Sequence, residues 1–349
     1  MSSSESAPHV TSAPDAGRGK RPEQPEPFVR GCAWPGTRSV SYPRASPRDR
    51  TRLPGDTWQM ASIPVGVRLE IVGDAWELEI AYRTATDQLG YRGDGAGTHF
   101  SAWTTEGLLA EEPAQLGEGT VLLPLAQGQP TIVYLPEGMR PTVLHVTGVG
   151  GDLQPAPQQP RWVVYGDSVA EGWIASAPAL AWPAIAGRRQ RLDVVNLGYA
   201  GAARGEIASA EQVAQLDADL ITVCHGTNCW TRTPHSAGLF REGVEAFLTI
   251  LRQAHPRTSI QVVSPVIRPD AEGQPNRLGA TLADLRAAME VVVERRIADG
   301  DDRLQLLRGL QLIAAEHLGD GIHPNDDGHA RLAAAIGDGA RAMIDARSH

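Results

Sequence analysis

Arg161-Trp162-Val163-Val164-Tyr165-Gly166-Asp167-Ser168 is the stretch on which the reading of this chain turns. Four apolar or aromatic residues in a row, two of them β-branched, predict a buried strand. Gly166 permits a sharp turn and leaves the Ser168 hydroxyl at the strand's carboxyl end, where open α/β sheets collect ligands. Taken alone, Gly-Asp-Ser is also an ordinary turn or helix cap. Its meaning depends on what surrounds it.

Downstream, strand-like runs alternate with helical ones, the pattern of βαβ units and a parallel sheet. Strands are expected at 161–165, 193–197, 220–224, 259–263 and 303–307. Helices are expected at 177–190, 206–216, 237–254, 281–298 and 328–345. In the third of these Phe240, Val244, Phe247, Leu248 and Leu251 share one face at helical spacing, which marks a core-facing stripe.

Upstream the texture differs. Residues 28–150 hold short extended runs broken by Gly, Pro and Asp, with no helical pattern. Residues 67–71 and 76–82 alternate strictly, and Gly73-Asp74 between them predicts a hairpin. Further strands are expected at 98–103, 120–125, 131–135 and 142–149. Such spacing predicts a β-sandwich or jelly roll, placed as a packing partner for the second domain, with an independent binding module as the alternative. Residues 1–27 are poor in large apolar side chains and are expected to be a flexible tail. The polar, Pro-rich residues 151–160 read as a linker to a domain spanning 161–349.

A net charge of −9 argues against nucleic acid or an anionic membrane as partner. No apolar run is long enough to span a bilayer. The polar start, Met1-Ser2-Ser3-Ser4-Glu5, has none of the apolar character of a signal peptide. Three cysteines, Cys32, Cys224 and Cys229, form no even framework and suit a reducing compartment, so a cytoplasmic location is expected. Cys224 and Cys229 bracket His225, but without a second pair at zinc-ligand spacing no metal is expected.

Each downstream strand delivers polar residues to one rim. The first brings Ser168, the second Asn196-Leu-Gly-Tyr-Ala-Gly201, the third His225-Gly-Thr-Asn228-Cys-Trp230. Asp320-Gly-Ile-His323 follows the fifth. Nucleophile, base, base-orienter and oxyanion donors are the parts that acyl transfer needs. Singly, each has a plain alternative: Asn228 as a cap, Gly201 as a helix-start glycine, Asp320 and His323 as a local turn. An α/β-hydrolase elbow would read Gly-x-Ser-x-Gly, but position 170 is Ala. Gly198, Gly201 and Gly205 lack the spacing of a dinucleotide turn.

In these blocks the chain resembles the SGNH hydrolases, or GDSL esterases. Gly166-Asp167-Ser168 matches the first block of that family, Gly201 the second, Gly226-Thr227-Asn228 the third and Asp320-x-x-His323 the fifth, in order over about residues 161–345. Val169 stands where the family has Leu or Ile, and Cys229 where many members have Asp. Neither replacement removes a catalytic group.

The resemblance implies a flavodoxin-like three-layer domain behind the β-sandwich, as in a two-domain subgroup that includes an acyltransferase of tetracycline biosynthesis. It implies Ser168 as nucleophile, His323 as base, Asp320 as its orienter, and the Ser168 and Gly201 N–H groups with the Asn228 amide as oxyanion hole. Trp173, Tyr199, His225, Trp230 and Arg268 follow these blocks and are candidate substrate-binding residues, with packing as the alternative for each. No cofactor is expected. Small-molecule acyl donor and acceptor are the partners. With a CoA thioester as donor and a natural-product hydroxyl as acceptor, the protein is an acyltransferase moving an aromatic acyl group. With water as acceptor it is an esterase. A carbohydrate-binding protein on an inactive scaffold is the non-enzymatic alternative.

Overall fold

The computed structural model describes residues 21–87 and 97–346. The first unit contains β1 (Val29–Arg30), α1 (Gly55–Ala61), β2 (Arg68–Gly73), β3 (Glu77–Thr84), β4 (His99–Trp103), β5 (Leu108–Pro113), β6 (Gly117–Pro124), β7 (Thr131–Tyr134), β8 (Thr142–Val149) and β9 (Leu153–Pro155). Two antiparallel sheets face each other. One runs β1-β2-β7-β4-β5 with β9 on the edge of β2, the other β6-β3-β8. Alternate side chains such as Leu78, Ile80 and Tyr82 of β3 meet Leu69, Phe100 and Val133 between them. This is the β-sandwich.

The hairpin expected across Gly73-Asp74 is not formed. β2 pairs with β1, β7 and β9, whereas β3 pairs with β6 and β8 in the other sheet. Gly73, at φ 149°, carries the chain from one sheet to the other, and the Asp74 carboxylate accepts the Asp152 N–H. Both strands have an apolar face to bury, and facing sheets bury both where a two-stranded hairpin buries neither.

Three other expectations are corrected. Residues 1–20 of the expected tail lie outside the described residues, but Glu23 exchanges both backbone hydrogen bonds with Val146 (2.7 and 3.0 Å). The expected linker contains β9, whose backbone pairs with Ile71, Val72 and Gly73. The upstream half also has a helix, α1, masked in sequence by its seven-residue length. Ala45, Leu53 and Ala61 around it are buried in the core of the downstream domain, so this excursion braces the second unit.

The second unit contains β10 (Arg161–Gly166), α2 (Ser168–Glu171), α3 (Trp182–Gln190), β11 (Asp193–Gly198), α4 (Ile207–Ala214), β12 (Leu220–Cys224), α5 (Thr227–Thr231), α6 (Ala237–Ala254), β13 (Ser259–Val263), α7 (Pro269–Glu272), α8 (Leu282–Ala298), β14 (Leu304–Leu307) and α9 (Asp326–Asp345). Its sheet is parallel, in the order β11-β10-β12-β13-β14. Alternation along the strands sorts side chains into two cores. Val163, Tyr165, Ile221 and Val223 pack with Phe240, Val244, Phe247 and Met289 on one face. Trp162, Val164, Leu220 and Cys224 pack with Trp182, Leu332 and Ile336 on the other. Strands covered on both faces carry continuous apolar runs, which is why they were legible. Among the described residues no helix is long and apolar enough to cross a membrane.

From β10 the chain adds β11 on one side and then β12 on the other, so the order of connection reverses between β10 and β12. That crevice, beyond the carboxyl ends of the strands, is where open α/β sheets bind ligands.

Candidate active site

β10 ends at Gly166, where a side chain has no room: an added Cβ would lie 2.2 Å from the Cys224 carbonyl oxygen. Asp167 then caps α2, its Oδ1 accepting the Val169 N–H at 3.1 Å. Burial raises its carboxyl above the usual range, with the Val169 N–H acting in the opposite direction. Asp167 shapes the turn, and Ser168 opens the helix.

Asp320 and His323 lie on the loop before α9, held by a Gly319 N–H to His323 carbonyl bond of 2.8 Å and by the Asn325 cap of the helix. The His323 Nε2 is 3.0 Å from the Ser168 Oγ. Its Nδ1 is 2.7 Å from the Asp320 Oδ2. The other carboxylate oxygen accepts the backbone N–H groups of Ile322 (2.9 Å) and His323 (2.7 Å). Partial burial alone would raise the Asp320 carboxyl, but hydrogen bonds from the His323 ring and these two N–H groups outweigh it and hold the group below the usual carboxylate range. The acid beside the imidazole is thereby kept ionised.

Gly201 lies on the loop after β11 at φ 68°, a conformation that favours glycine. Neither its N–H nor that of Ser168 meets an acceptor among the described residues. From α5 the buried Asn228 amide donates to the Ala203 carbonyl at 3.0 Å, which pins the side chain and leaves its second N–H. All three donors follow strand ends of the one parallel sheet, on the rim that carries Ser168. Removing one oxyanion donor typically costs about 100- to 1000-fold in turnover, and steady-state kinetics of Asn228→Ala should show a loss of that size. A loss under about tenfold would remove Asn228 from that role.

Two buried charges set the Gly201 loop, and neither was singled out in the sequence. Glu171, at the end of α2, accepts the Ala200 N–H at 2.5 Å. It pairs with Arg44 at 3.4 Å, both side chains fully buried. Arg44 also donates to the carbonyls of Ile63 (2.6 Å), Met60 (2.8 Å) and Gly198. Residues from the upstream half therefore position the second block. Arg232, one turn beyond Asn228, was also missed: its guanidinium nitrogens lie 3.5 Å from where a Gly201 Cβ would be. The one signal was its i+4 spacing from Asn228.

The structure divides the five candidate substrate residues. The Trp173 ring lies 5.6 Å from that of His323. Arg268 stacks 4.9 Å over Trp230 and is held by Asp270, joining the segments that follow β12 and β13. Tyr199 is buried beneath the loop, its hydroxyl donating to the Arg44 carbonyl at 2.6 Å, so it braces the loop. His225 is likewise core, ringed by Tyr165, Phe240 and Phe247.

Burial pushes the His225 imidazole down to about 3, so it stays neutral. A depressed histidine destabilises the fold in acid: between its unfolded value near 6.5 and its folded value, only the unfolded chain takes the proton. Wild-type stability should therefore fall relative to His225→Phe as pH drops below about 6.5, by at most roughly 1.4 kcal/mol per pH unit. Urea denaturation of both proteins at several pH values measures this. Parallel pH curves would show that His225 is protonated within the fold.

A sequence model of the GDSL-like Lipase/Acylhydrolase family matches residues 159–338. Comparison with curated proteins found no match. Among solved structures the chain is similar to the salicylyl-acyltransferase SsfX3 from a tetracycline biosynthetic pathway, at 22% identity and a TM-score of 0.75, covering 94% of this chain and 93% of that one. A putative GDSL-like lipase from Bacteroides ovatus gives 21% identity and 0.75, over 91% and 96%. A family two carbohydrate esterase from Clostridium thermocellum, in complex with cellohexaose, gives 14% and 0.59, over 80% and 92%. At these identities the likeness is one of fold, and in the first two it spans both units.

Proposed function

The chain belongs to the GDSL-like lipase/acylhydrolase family, and from that premise we propose that this enzyme is a serine acyltransferase working through an acyl-Ser168 ester. The observation that carries the reading is the unbroken relay from Ser168 Oγ through His323 to Asp320, at 3.0 and 2.7 Å. As the Oγ attacks the acyl carbonyl, His323 Nε2 takes its proton. Asp320 holds the tautomer with Nδ1–H and stabilises the imidazolium. The tetrahedral oxyanion is received by the Ser168 and Gly201 N–H groups and the Asn228 amide. His323 then returns the proton to the departing thiolate of a CoA thioester. In the second half a hydroxyl of a small natural product gives its proton to His323 and takes the acyl group, the acyl–Oγ bond breaks, and His323 returns that proton to the Ser168 Oγ.

The likeness of both units to an acyltransferase supports an alcohol as acceptor. We place the reaction in the reducing cytoplasm, in keeping with free Cys32, Cys224 and Cys229. One observation favours a second reading, an esterase. The His323 and Asp320 side chains are 15% and 37% exposed, so water reaches them.

Incubating the protein with aromatic and short-chain acyl-CoA thioesters, with and without candidate alcohols, separates the two. An ester product formed at the expense of free acid is expected. Free acid released equally fast with acceptor present, and no ester, would leave the esterase reading.

A further inference from the structure

The first unit meets the second across a cavity of about 300 Å³ that contains none of the catalytic residues. Its walls come from β7, α3 and β11, with Ile132, Pro183, Ala184, Leu192 and Val194 supplying an apolar surface. That volume is at the lower end of small-molecule sites, roughly 300–1,000 Å³.

Its charges do not balance. The lining holds Arg68, Arg188 and Arg191 against one acid, Glu70. Arg68 is accounted for, paired with Glu70 at 2.7 Å and with Asp193 at 3.0 Å. Arg188 is not. It is 8% exposed, and no carboxylate among the described residues lies within ion-pair distance. Its Nη1 donates to the Tyr134 hydroxyl (2.9 Å) and the Ala179 carbonyl (2.8 Å), and the guanidinium lies 4.7 Å over the Trp103 ring. These contacts fix the guanidinium and neutralise nothing. Buried charges are ordinarily paired. Arg191, exposed at the end of α3 with φ 53°, has no described partner either.

We propose that this cavity is a second ligand site, taking a small organic anion whose carboxylate meets Arg188 and Arg191 while its apolar body fills the space between β7 and α3. A charge-assisted hydrogen bond contributes about 1.5–3 kcal/mol, so losing the Arg188 contact should weaken binding by about tenfold to a hundredfold.

The test is calorimetric titration with benzoate, with neutral benzamide as control, on protein whose Ser168 has first been capped by a fluorophosphonate. Capped wild type should bind benzoate, and more weakly as salt is added, while benzamide should bind at least about tenfold more weakly. Arg188→Met should lose that preference while hydrolysing a small activated ester at the wild-type rate. Arg191→Glu, at an exposed position that leaves the fold intact, should weaken benzoate at least about tenfold and covers the case in which Arg188→Met does not fold. Absence of benzoate binding at millimolar concentration, equal binding of benzamide, or unchanged affinity in Arg191→Glu would each overturn the proposal. Binding that disappears on capping would move the ligand to the Ser168 site.

Discussion

Ser168→Ala is expected to lower turnover by about 10⁴- to 10⁶-fold, the range seen when a triad that acts as one unit loses its nucleophile. In the proposed mechanism the Oγ becomes covalently bound to the acyl group, and the described structure offers it one partner, the His323 ring at 3.0 Å. Deleting it removes one hydrogen bond from a residue otherwise held by the backbone of α2, so thermal stability should hardly change. Two measurements check this. A fluorophosphonate should label the wild type stoichiometrically and the variant not at all. Mass spectrometry after mixing with an acyl-CoA should show an acyl adduct in the wild type alone. An adduct persisting in Ser168→Ala would put the nucleophile elsewhere.

Asp320→Asn should cost about 10⁴-fold in turnover with the fold preserved, since the wrong imidazole tautomer has that effect in triads. The asparagine Oδ1 can still accept the Ile322 and His323 N–H groups that hold Asp320 now. What changes is the atom facing His323 Nδ1. An amide NH₂ in place of the carboxylate donates to the ring, which moves the imidazole proton to Nε2 and leaves no base toward Ser168. Loss of the negative charge also withdraws stabilisation from the imidazolium. Because the hydrogen bonds around Asp320 keep its carboxyl below the usual range, the contribution of its charge to stability is present above about pH 4 and is lost as pH falls through the lowered value. In the Asp320→Asn protein that acid-side loss should be absent. A reduction in turnover of less than about tenfold would show that the ring is oriented by something else.

Much of the site was legible because its parts follow strand ends. The run Trp162–Tyr165 is buried on both faces, and burial of that kind leaves an unbroken apolar signature. Once such strands are placed, the polar residues after them must lie on one rim, and Ser168, Gly201 and Asn228 do. Tyr199 was misplaced on the same logic, while His225 takes the packing role that stood as its alternative. They also follow strands, but their side chains turn into the core, and spacing alone does not say which way a loop residue faces. Glu171 and Arg44 carried no signal. They are 127 positions apart, and each is an unremarkable charge until the fold pairs them.

The sequence by itself determined the two textures of the chain, the parallel α/β unit and the order of its acyl-transfer blocks, since local periodicity follows directly from which faces a segment buries. Tertiary structure alone decided that β2 and β3 part into facing sheets, that residues 45–61 leave the sandwich to brace the second core, and that Arg188 ends beside a cavity with no carboxylate among the described residues within ion-pair distance. Those outcomes depend on which buried faces meet across long stretches of chain. That is a competition among distant partners, and no local pattern records it.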